Sequence, residues 1–320
     1  HSKSMAYLRQ LCCLGLGKDV VMPVFLNAVR EAIPSNNNLL TKLDENGVPF
    51  EIIINLFLPD IFSIASGLMP QIHTPERVRI INEIFRKDHF IPDEFFFSDK
   101  IFQSDFYHLV LVPCEQHYFV VVPVYANQQV AEVLWLCRPC TDRPFNEKEQ
   151  QLAVQLSPYL THALQKRPDA DITYVDSGQS SLIIANTLGE IVYLGREAQR
   201  LLTLATELER YKGGQPFSIN LPPALATLCH NLDGIFKGEA AMPPMYTHTN
   251  PYGKFVFRAY WLDKLNRESG GLIGITIDHQ EPQDLAVMRA LKETGLSPVQ
   301  TQVCFLVTNR PKTAHQAIDR

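Results

Sequence analysis

The 320-residue sequence lacks the features of several protein classes. Its most apolar stretch, Leu109–Tyr125, is interrupted at residues 113–117, so it offers no run of the roughly 18 apolar residues that a membrane helix needs. The seven cysteines are odd in number and irregularly spaced, which argues against a secreted disulfide framework. The 16 glycines and 22 prolines follow no period, which excludes a collagen-like chain. We therefore expect no membrane span, free thiols and a cytoplasmic location.

Motifs of common enzyme classes are also missing. The sequence contains no Gly-x-Ser-x-Gly, His-Glu-x-x-His or Gly-x-Gly-x-x-Gly pattern. Cys137 and Cys140 form a Cys-x-x-Cys pair, but no second pair completes a zinc site, and the pair follows a strand instead of opening a helix that would activate a thiol. We expect neither an enzyme nor a metal site, and the sequence identifies no cofactor.

Composition predicts a globular chain of about two domains and a fragment of a third. It is 46% hydrophobic with a net charge of only −5, so it has enough apolar material for buried cores. Charge is uneven, because the 32 residues from Arg289 onward hold five basic and two acidic residues. This segment therefore has a net positive charge, which the phosphates of nucleic acid attract, whereas the rest of the chain is net negative.

The first predicted unit covers residues 6–166, after residues 1–5, which we interpret as a cloning remnant before a native Met. Hydrophobic periodicity predicts its elements in this order: helices at Met5–Leu16 and Asp19–Ile33, a hairpin of Leu39–Leu43 and Phe50–Phe57, a helix at Pro75–Lys87, strands at His117–Tyr125 and Val130–Arg138, and a helix at Glu147–Leu164. The polar, proline-containing stretch Gln165–Asp171 then predicts a domain boundary.

The second predicted unit covers residues 171–281. Its pattern predicts strands at Leu182–Asn186 and Glu190–Leu194, a helix from Arg196, a helix at Pro223–Lys237, and strands at Lys254–Leu262 and Gly271–His279. Strands, then helices, then strands are typical of an antiparallel sheet with helices on one face.

Helices are predicted at Asp284–Glu293 and Pro298–Thr308. The second has the clearest start signal in the chain, with Ser297 as N-cap and Pro298 at the first position. We expect its apolar stripe to face inward; the stripe consists of Val299, Val303, Leu306 and Val307.

These C-terminal residues resemble a known DNA-binding family. Leu296–Val307 resembles the opening helix of LuxR-type helix-turn-helix domains, and Ala314–Arg320 resembles the second helix. The resemblance implies that residues 284–320 are a connecting helix and the start of such a domain, whose recognition helix lies beyond Arg320. It makes Arg310 and Lys312 candidate DNA phosphate contacts, with solvated turn residues as the alternative.

The upstream units resemble sensory modules. His117–Arg138 with Phe145–Leu164 is similar to the end of a GAF domain, and Ser180–Leu202 resembles the opening of a PAS domain. The implied fold class is α+β, with two mixed antiparallel-sheet sensor domains, GAF-like and then PAS-like, followed by an incomplete all-α helix-turn-helix segment.

Sensor pockets of this kind lie between a sheet and the elements that cover it. The candidate lining residues of the GAF-like unit are Phe97, Phe102, Phe106, Tyr107, Phe119, Val121, Trp135 and Cys137. Those of the PAS-like unit are Tyr193, Phe257 and Trp261. The alternative for both sets is ordinary core packing.

The resemblance implies a bacterial transcription regulator that responds to a small-molecule effector and binds DNA as a homodimer once its C-terminal domain is complete. The helices at Glu147–Leu164 and Asp284–Glu293 are the expected dimer contacts. Two alternatives remain open at this stage: the sensory portion of a signalling enzyme such as a kinase or cyclase, and a stand-alone small-molecule binder.

Overall fold

The computed structural model describes residues 2–44, 49–54, 61, 64–65, 67–68, 72, 74–87, 99–126, 129–164, 172–206, 210–212, 223–262 and 271–308. The fold class predicted from the sequence is confirmed: the structure is mixed α+β, with two antiparallel sheets and a helical C-terminal part. Within the described ranges, no helix is long and apolar enough to cross a membrane.

The first unit is built on a sheet with the strand order β3-β4-β1-β2-β7. Its strands are β1 (Leu39–Leu43), β2 (Pro49–Ile54), β3 (Tyr118–Ala126), β4 (Gln129–Arg138) and the short β7 (Arg210–Lys212), which comes from later in the chain. Every pairing is antiparallel. Residues 120–122 and 124 of β3 are all buried, because both faces of this sheet are covered.

Helices cover the two faces of the first sheet. One face packs against α1 (Ser2–Cys12), α2 (Lys18–Ala32), α5 (Glu147–Val154) and α6 (Ser157–Leu164). The other face packs against α3 (Pro75–Lys87), α4 (Asp99–Phe102) and a π-helical segment, Tyr107–Leu111. The prediction of one continuous helix at Glu147–Leu164 is wrong, because Pro158 has no N–H to continue the hydrogen-bond ladder and the chain restarts as α6.

The second unit contains a five-stranded sheet with the order β6-β5-β10-β9-β8. Its strands are β5 (Tyr174–Asn186), β6 (Ile191–Leu194), β8 (Met245–Asn250), β9 (Gly253–Leu262) and β10 (Leu272–Pro282). The helices α7 (Arg196–Ala205) and α8 (Pro223–Phe236) cover one face, as predicted. The edge strand β8 was not predicted, because its sequence Met-Tyr-Thr-His-Thr-Asn is largely polar.

The C-terminal helices pack on the first unit. Helix α9 (Gln283–Glu293) follows β10 directly and buries Leu285 and Met288 in the core formed with α1 and α2. These two apolar side chains are therefore not available for the dimer contact that the sequence suggested for this helix. Helix α10 (Pro298–Thr308) contacts α1 and α9, and its Phe305 packs against the same core.

The predicted orientation of α10 is wrong. The four residues of its apolar stripe, Val299, Val303, Leu306 and Val307, are between 54% and 71% exposed. Thr301, which lies on the opposite side of the helix, is buried instead. Periodicity identifies the apolar face of a helix, but the positions of the neighbouring helices determine which face of that helix is buried. Helix α10 thus presents an apolar face to solvent.

Candidate functional site

The aromatic residues predicted to line the first pocket form one cluster, which we call the aromatic cluster. Phe102, Phe106, Tyr107, Phe119, Val121, Trp135 and Cys137 all lie on the α3 side of the first sheet. Strand register explains this, since Phe119 pairs with Cys137 and Val121 with Trp135 across β3 and β4. The remaining predicted residue, Phe97, lies outside the described residues.

Contacts in the aromatic cluster are those of a packed interior. The rings of Phe102 and Tyr107 meet edge to face with centroids 5.1 Å apart, and those of Phe119 and Trp135 do so at 6.3 Å. The Tyr107 hydroxyl lies 2.6 Å from Nδ1 of His117, and burial raises the pKa of Tyr107. A ligand-lining role for these residues stays a prediction.

The Cys-x-x-Cys pair is divided between the interior and the surface. Cys137 is buried in the aromatic cluster, and burial raises its thiol pKa well above the ordinary value, whereas Cys140 is exposed. A buried neutral thiol is a poor nucleophile and a poor metal ligand. In the part of the chain that the structure describes, no group of three or more His, Cys, Asp or Glu side chains is placed to hold a metal ion.

The residues predicted to line the second pocket do not converge. Phe257 and Trp261 lie on the helix-covered face of the second sheet, and Trp261 packs against Phe236 with ring centroids 5.0 Å apart. Tyr193 is paired with Ile184 on the other face and is 65% exposed. The alternation of side chains along a strand therefore separates Tyr193 from the other two. The predicted phosphate contacts, Arg310 and Lys312, lie outside the described residues.

Sequence reasoning missed a cavity between the two units, which we call the inter-unit cleft. It has a volume of about 320 Å³ and is bounded by α2 and β2 on one side and by β5, β10, α7 and α9 on the other. Its residues are distant in sequence, so no local pattern marks them. The signal that was available is the short polar run at the end of β10, His279-Gln280-Glu281, in a strand that is otherwise largely apolar.

Polar groups of the inter-unit cleft are held by hydrogen bonds within the second unit. The ring of His279 contacts Ser177 Oγ through Nδ1 and the Tyr252 carbonyl oxygen through Nε2, both at 2.9 Å. Burial lowers the pKa of His279, so its imidazole is neutral near pH 7. Arg289 donates two hydrogen bonds to the carboxylate of Glu281, one of them 2.6 Å long.

A second charged group, at the start of α5, has a structural role. The carboxylate of Glu149 accepts hydrogen bonds from Arg138 at 2.8 Å and from Arg143 at 2.7 Å, and it caps the backbone of Asn146 at 2.9 Å. Arg138 is only 1% exposed and also lies over the ring of Phe145, at 4.0 Å. Partners within the chain satisfy these charges, so the cluster fixes α5 against the end of β4.

Comparison with known proteins leaves the family open. No known protein-family profile and no curated protein matches the chain. Among solved structures, the sensor region of a sensor histidine kinase is similar over 76% of this chain and 83% of that one, with 14% sequence identity and a TM-score of 0.20. At that score the likeness establishes no common fold or function, and the assignment of fold class rests on the two sheets themselves.

Proposed function

We propose that this chain is the sensory part of a non-enzymatic bacterial transcription regulator, in which α10 is the first helix of a DNA-binding module. The observation that carries the proposal is the amphipathic arrangement of α10. One side packs on α1 and α9, and the other presents Val299, Val303, Leu306 and Val307 to solvent. An exposed apolar face of this kind marks a surface that another element covers.

In a helix-turn-helix domain, the helices that follow the first one pack against its apolar face and form a small core. The exposed face of α10 is a surface of this kind. The start of α10 also agrees with the resemblance. The Ser297 hydroxyl lies 3.4 Å from the backbone N–H of Gln300, and the Gln300 side chain accepts from the Ser297 N–H at 2.9 Å. This reciprocal cap defines a helix start at the expected Leu-Ser-Pro sequence.

Helix α9 supplies a physical route from the sensory units to α10. It continues from β10 of the second sheet, and it is buried against the first unit through Leu285 and Met288. A hydrogen bond ties α10 to α1, from the Gln10 side chain to the Pro298 carbonyl at 3.1 Å. A change in the packing of the units therefore displaces α10 through rigid contacts.

The proposal requires a recognition helix C-terminal to Arg320 in the natural polypeptide, and this requirement is testable. Selection from a random double-stranded DNA library compares the longer natural polypeptide with the 320-residue chain. We expect the longer protein, acting as a dimer, to enrich a two-fold symmetric sequence with half-sites about one helical turn apart, and the shorter chain to enrich none. Absence of any enrichment by the folded longer protein would contradict the proposal.

A matched variant of the longer polypeptide tests the predicted phosphate contacts. Changing Arg310 and Lys312 together to Gln is expected to weaken binding to all DNA sequences alike and to reduce the salt dependence of the association constant, without changing the preferred sequence. A changed sequence preference would show that these residues read bases. Autophosphorylation of the longer protein with ATP would instead assign it to the signalling enzymes.

A further inference from the structure

The two faces of the second sheet differ in what lies against them. Helices α7 and α8 pack on one face, and we call the opposite face the outer sheet face. Side chains alternate between the faces along each strand, so residues next to the buried core residues point outward. Four large apolar side chains of the outer sheet face are between 44% and 65% exposed: Leu182, Tyr193, Met245 and Tyr260. The outer sheet face therefore presents apolar surface to solvent.

Strand register collects these side chains in two adjacent rows. The first row crosses β6, β5, β10 and β9 and consists of Tyr193, Ile184, Gly274 and Tyr260. The second row crosses β5, β10, β9 and β8 and consists of Leu182, Thr276, Arg258 and Met245. Gly274 has no side chain, and methyl carbons of Leu182 and Leu262 lie 3.2 Å from the position that its Cβ would take. The rows therefore form one largely apolar patch, and patches of this kind mark protein contact surfaces.

The first unit lies on the other side of the second sheet. His279 and Glu281 of β10 line the inter-unit cleft, and both are buried. Asp278 and Gln280 alternate with them along the strand and belong to the outer sheet face. The contact between the two units is therefore made on the helix-covered side, and the outer sheet face is directed away from the first unit.

The helices that the sequence suggested as dimer contacts use their apolar sides within the chain. Leu160 and Ala163 of α6 are buried in the core of the first unit, as are Leu285 and Met288 of α9. A dimer contact through apolar side chains must therefore use another surface. The outer sheet face offers one on the unit that leads directly into α9.

The charges of the outer sheet face are compatible with a second copy of the same face. Across the described strands, Arg258 and Lys254 balance Asp176 and Asp278, and Arg258 forms an ion pair with Asp278. An isologous contact brings the same surface of both copies together, so a net charge on that surface would repel. Here two copies meet without such repulsion.

The size of the outer sheet face also fits a dimer. Strands about 4.8 Å apart that rise about 3.3 Å per residue give this five-stranded sheet a face of roughly 24 by 29 Å, or about 700 Å². A standard stable interface buries about 800 Å² of accessible surface on each partner. Because side-chain relief makes the accessible surface larger than the flat area, the outer sheet face is large enough.

We propose that two copies of this chain dimerise through their outer sheet faces, which pack on each other about a two-fold axis. Sheets pack face to face about 10 Å apart through interdigitating side chains, and tyrosine is enriched at protein interfaces, which suits Tyr193 and Tyr260. The dimer is the one that the proposed function assumes, but its formation does not depend on DNA binding.

Sedimentation equilibrium of the 320-residue protein tests the contact. We expect a dimer with a Kd of about 10 µM or lower, and a monomer at 100 µM would overturn the proposal. Leu182→Glu and Tyr260→Glu each place a carboxylate in the patch and are expected to weaken dimerisation at least about 100-fold. Val303→Glu is the matched control, because it places the same charge on the exposed face of α10 and is expected to leave the dimer intact. A dimer lost in Val303→Glu but retained in folded Leu182→Glu would place the contact on α10 and refute the outer sheet face.

Reversing single charges provides a test that loss of folding cannot imitate. Arg258→Asp leaves the outer sheet face with excess negative charge, and Asp278→Arg leaves it with excess positive charge. Each variant alone is expected to dimerise at least about 30-fold more weakly than the wild type, whereas their equimolar mixture should form a heterodimer within about tenfold of the wild-type affinity. Unchanged dimerisation of the single variants, or no heterodimer from two folded variants, would contradict the proposal. These measurements use no DNA, so their outcome is separate from that of the DNA selection.

Discussion

Replacing Glu149 with glutamine is expected to destabilise the first unit strongly and in a pH-dependent way. Burial by itself would raise the pKa of Glu149, but hydrogen bonds from Arg138, Arg143 and the backbone of Asn146 outweigh it and lower the pKa to about 2. The side chain is 10% exposed, so solvent screens these interactions little. The ion pairs of Glu149 with Arg138 and Arg143 therefore increase the free energy of unfolding.

The magnitude follows from linkage between protonation and folding. The pKa falls from an ordinary value of 4.5 to about 2, which corresponds to about 3 kcal/mol at neutral pH. Because the folded-state pKa is the lower one, this stability is fully present above pH 5 and is lost as pH falls towards 2. Near pH 3 less than about half of it remains.

Urea denaturation monitored by circular dichroism measures the difference in unfolding free energy between the wild type and Glu149→Gln. At pH 7 we expect the variant to be less stable by about 3 kcal/mol, because it leaves the buried Arg138 without its carboxylate. At pH 3 we expect this difference in unfolding free energy to be at most half as large. Arg143→Gln is the matched control: Arg143 contacts the same carboxylate but is mostly exposed, so its loss is expected to cost about 1 kcal/mol. A gap below 1 kcal/mol at pH 7, or one that does not change with pH, would refute the reasoning.

Three further predictions use other parts of the fold. Gly253→Ala should destabilise the second unit by about 2 kcal/mol or more, because the backbone φ is +137° and a Cβ atom would lie 2.4 Å from a carbonyl oxygen of β10. Gly195→Ala is the control: Gly195 is the N-cap of α7 with open space around it, so the change should cost less than about 1 kcal/mol, and chemical denaturation distinguishes the two variants. Cys140 should react with a thiol reagent in the native protein while Cys137 reacts only on unfolding, and modification of native Cys137 at a comparable rate would disprove its burial. Leu306→Ser should leave the melting temperature of the 320-residue chain nearly unchanged. In a polypeptide that carries the proposed DNA-binding module, the same change should lower the melting temperature by several degrees, and equal effects in both proteins would contradict a cover on α10.

Local chemistry in the sequence determines the helices and most strands. Helix bounds at Pro75–Lys87 and Pro298–Thr308 agree with the structure because proline and a capping side chain define a helix start within a few residues. In the sequence, Asn146 and Glu149 stand at the spacing of a capping box, and the structure contains that box at the start of α5. Strand alternation likewise collects Phe119 and Trp135 on one face of the first sheet, as the sequence predicted.

Only the tertiary structure decided which surfaces meet. The face of α10 that is exposed depends on α1 and α9, and the inter-unit cleft joins residues as distant as Val24 and Arg289. The second guanidinium on Glu149, that of Arg138, comes from the preceding strand. Sequence periodicity describes one element at a time, whereas a cavity or a buried ion pair depends on the relative placement of several elements, which long-range packing alone determines.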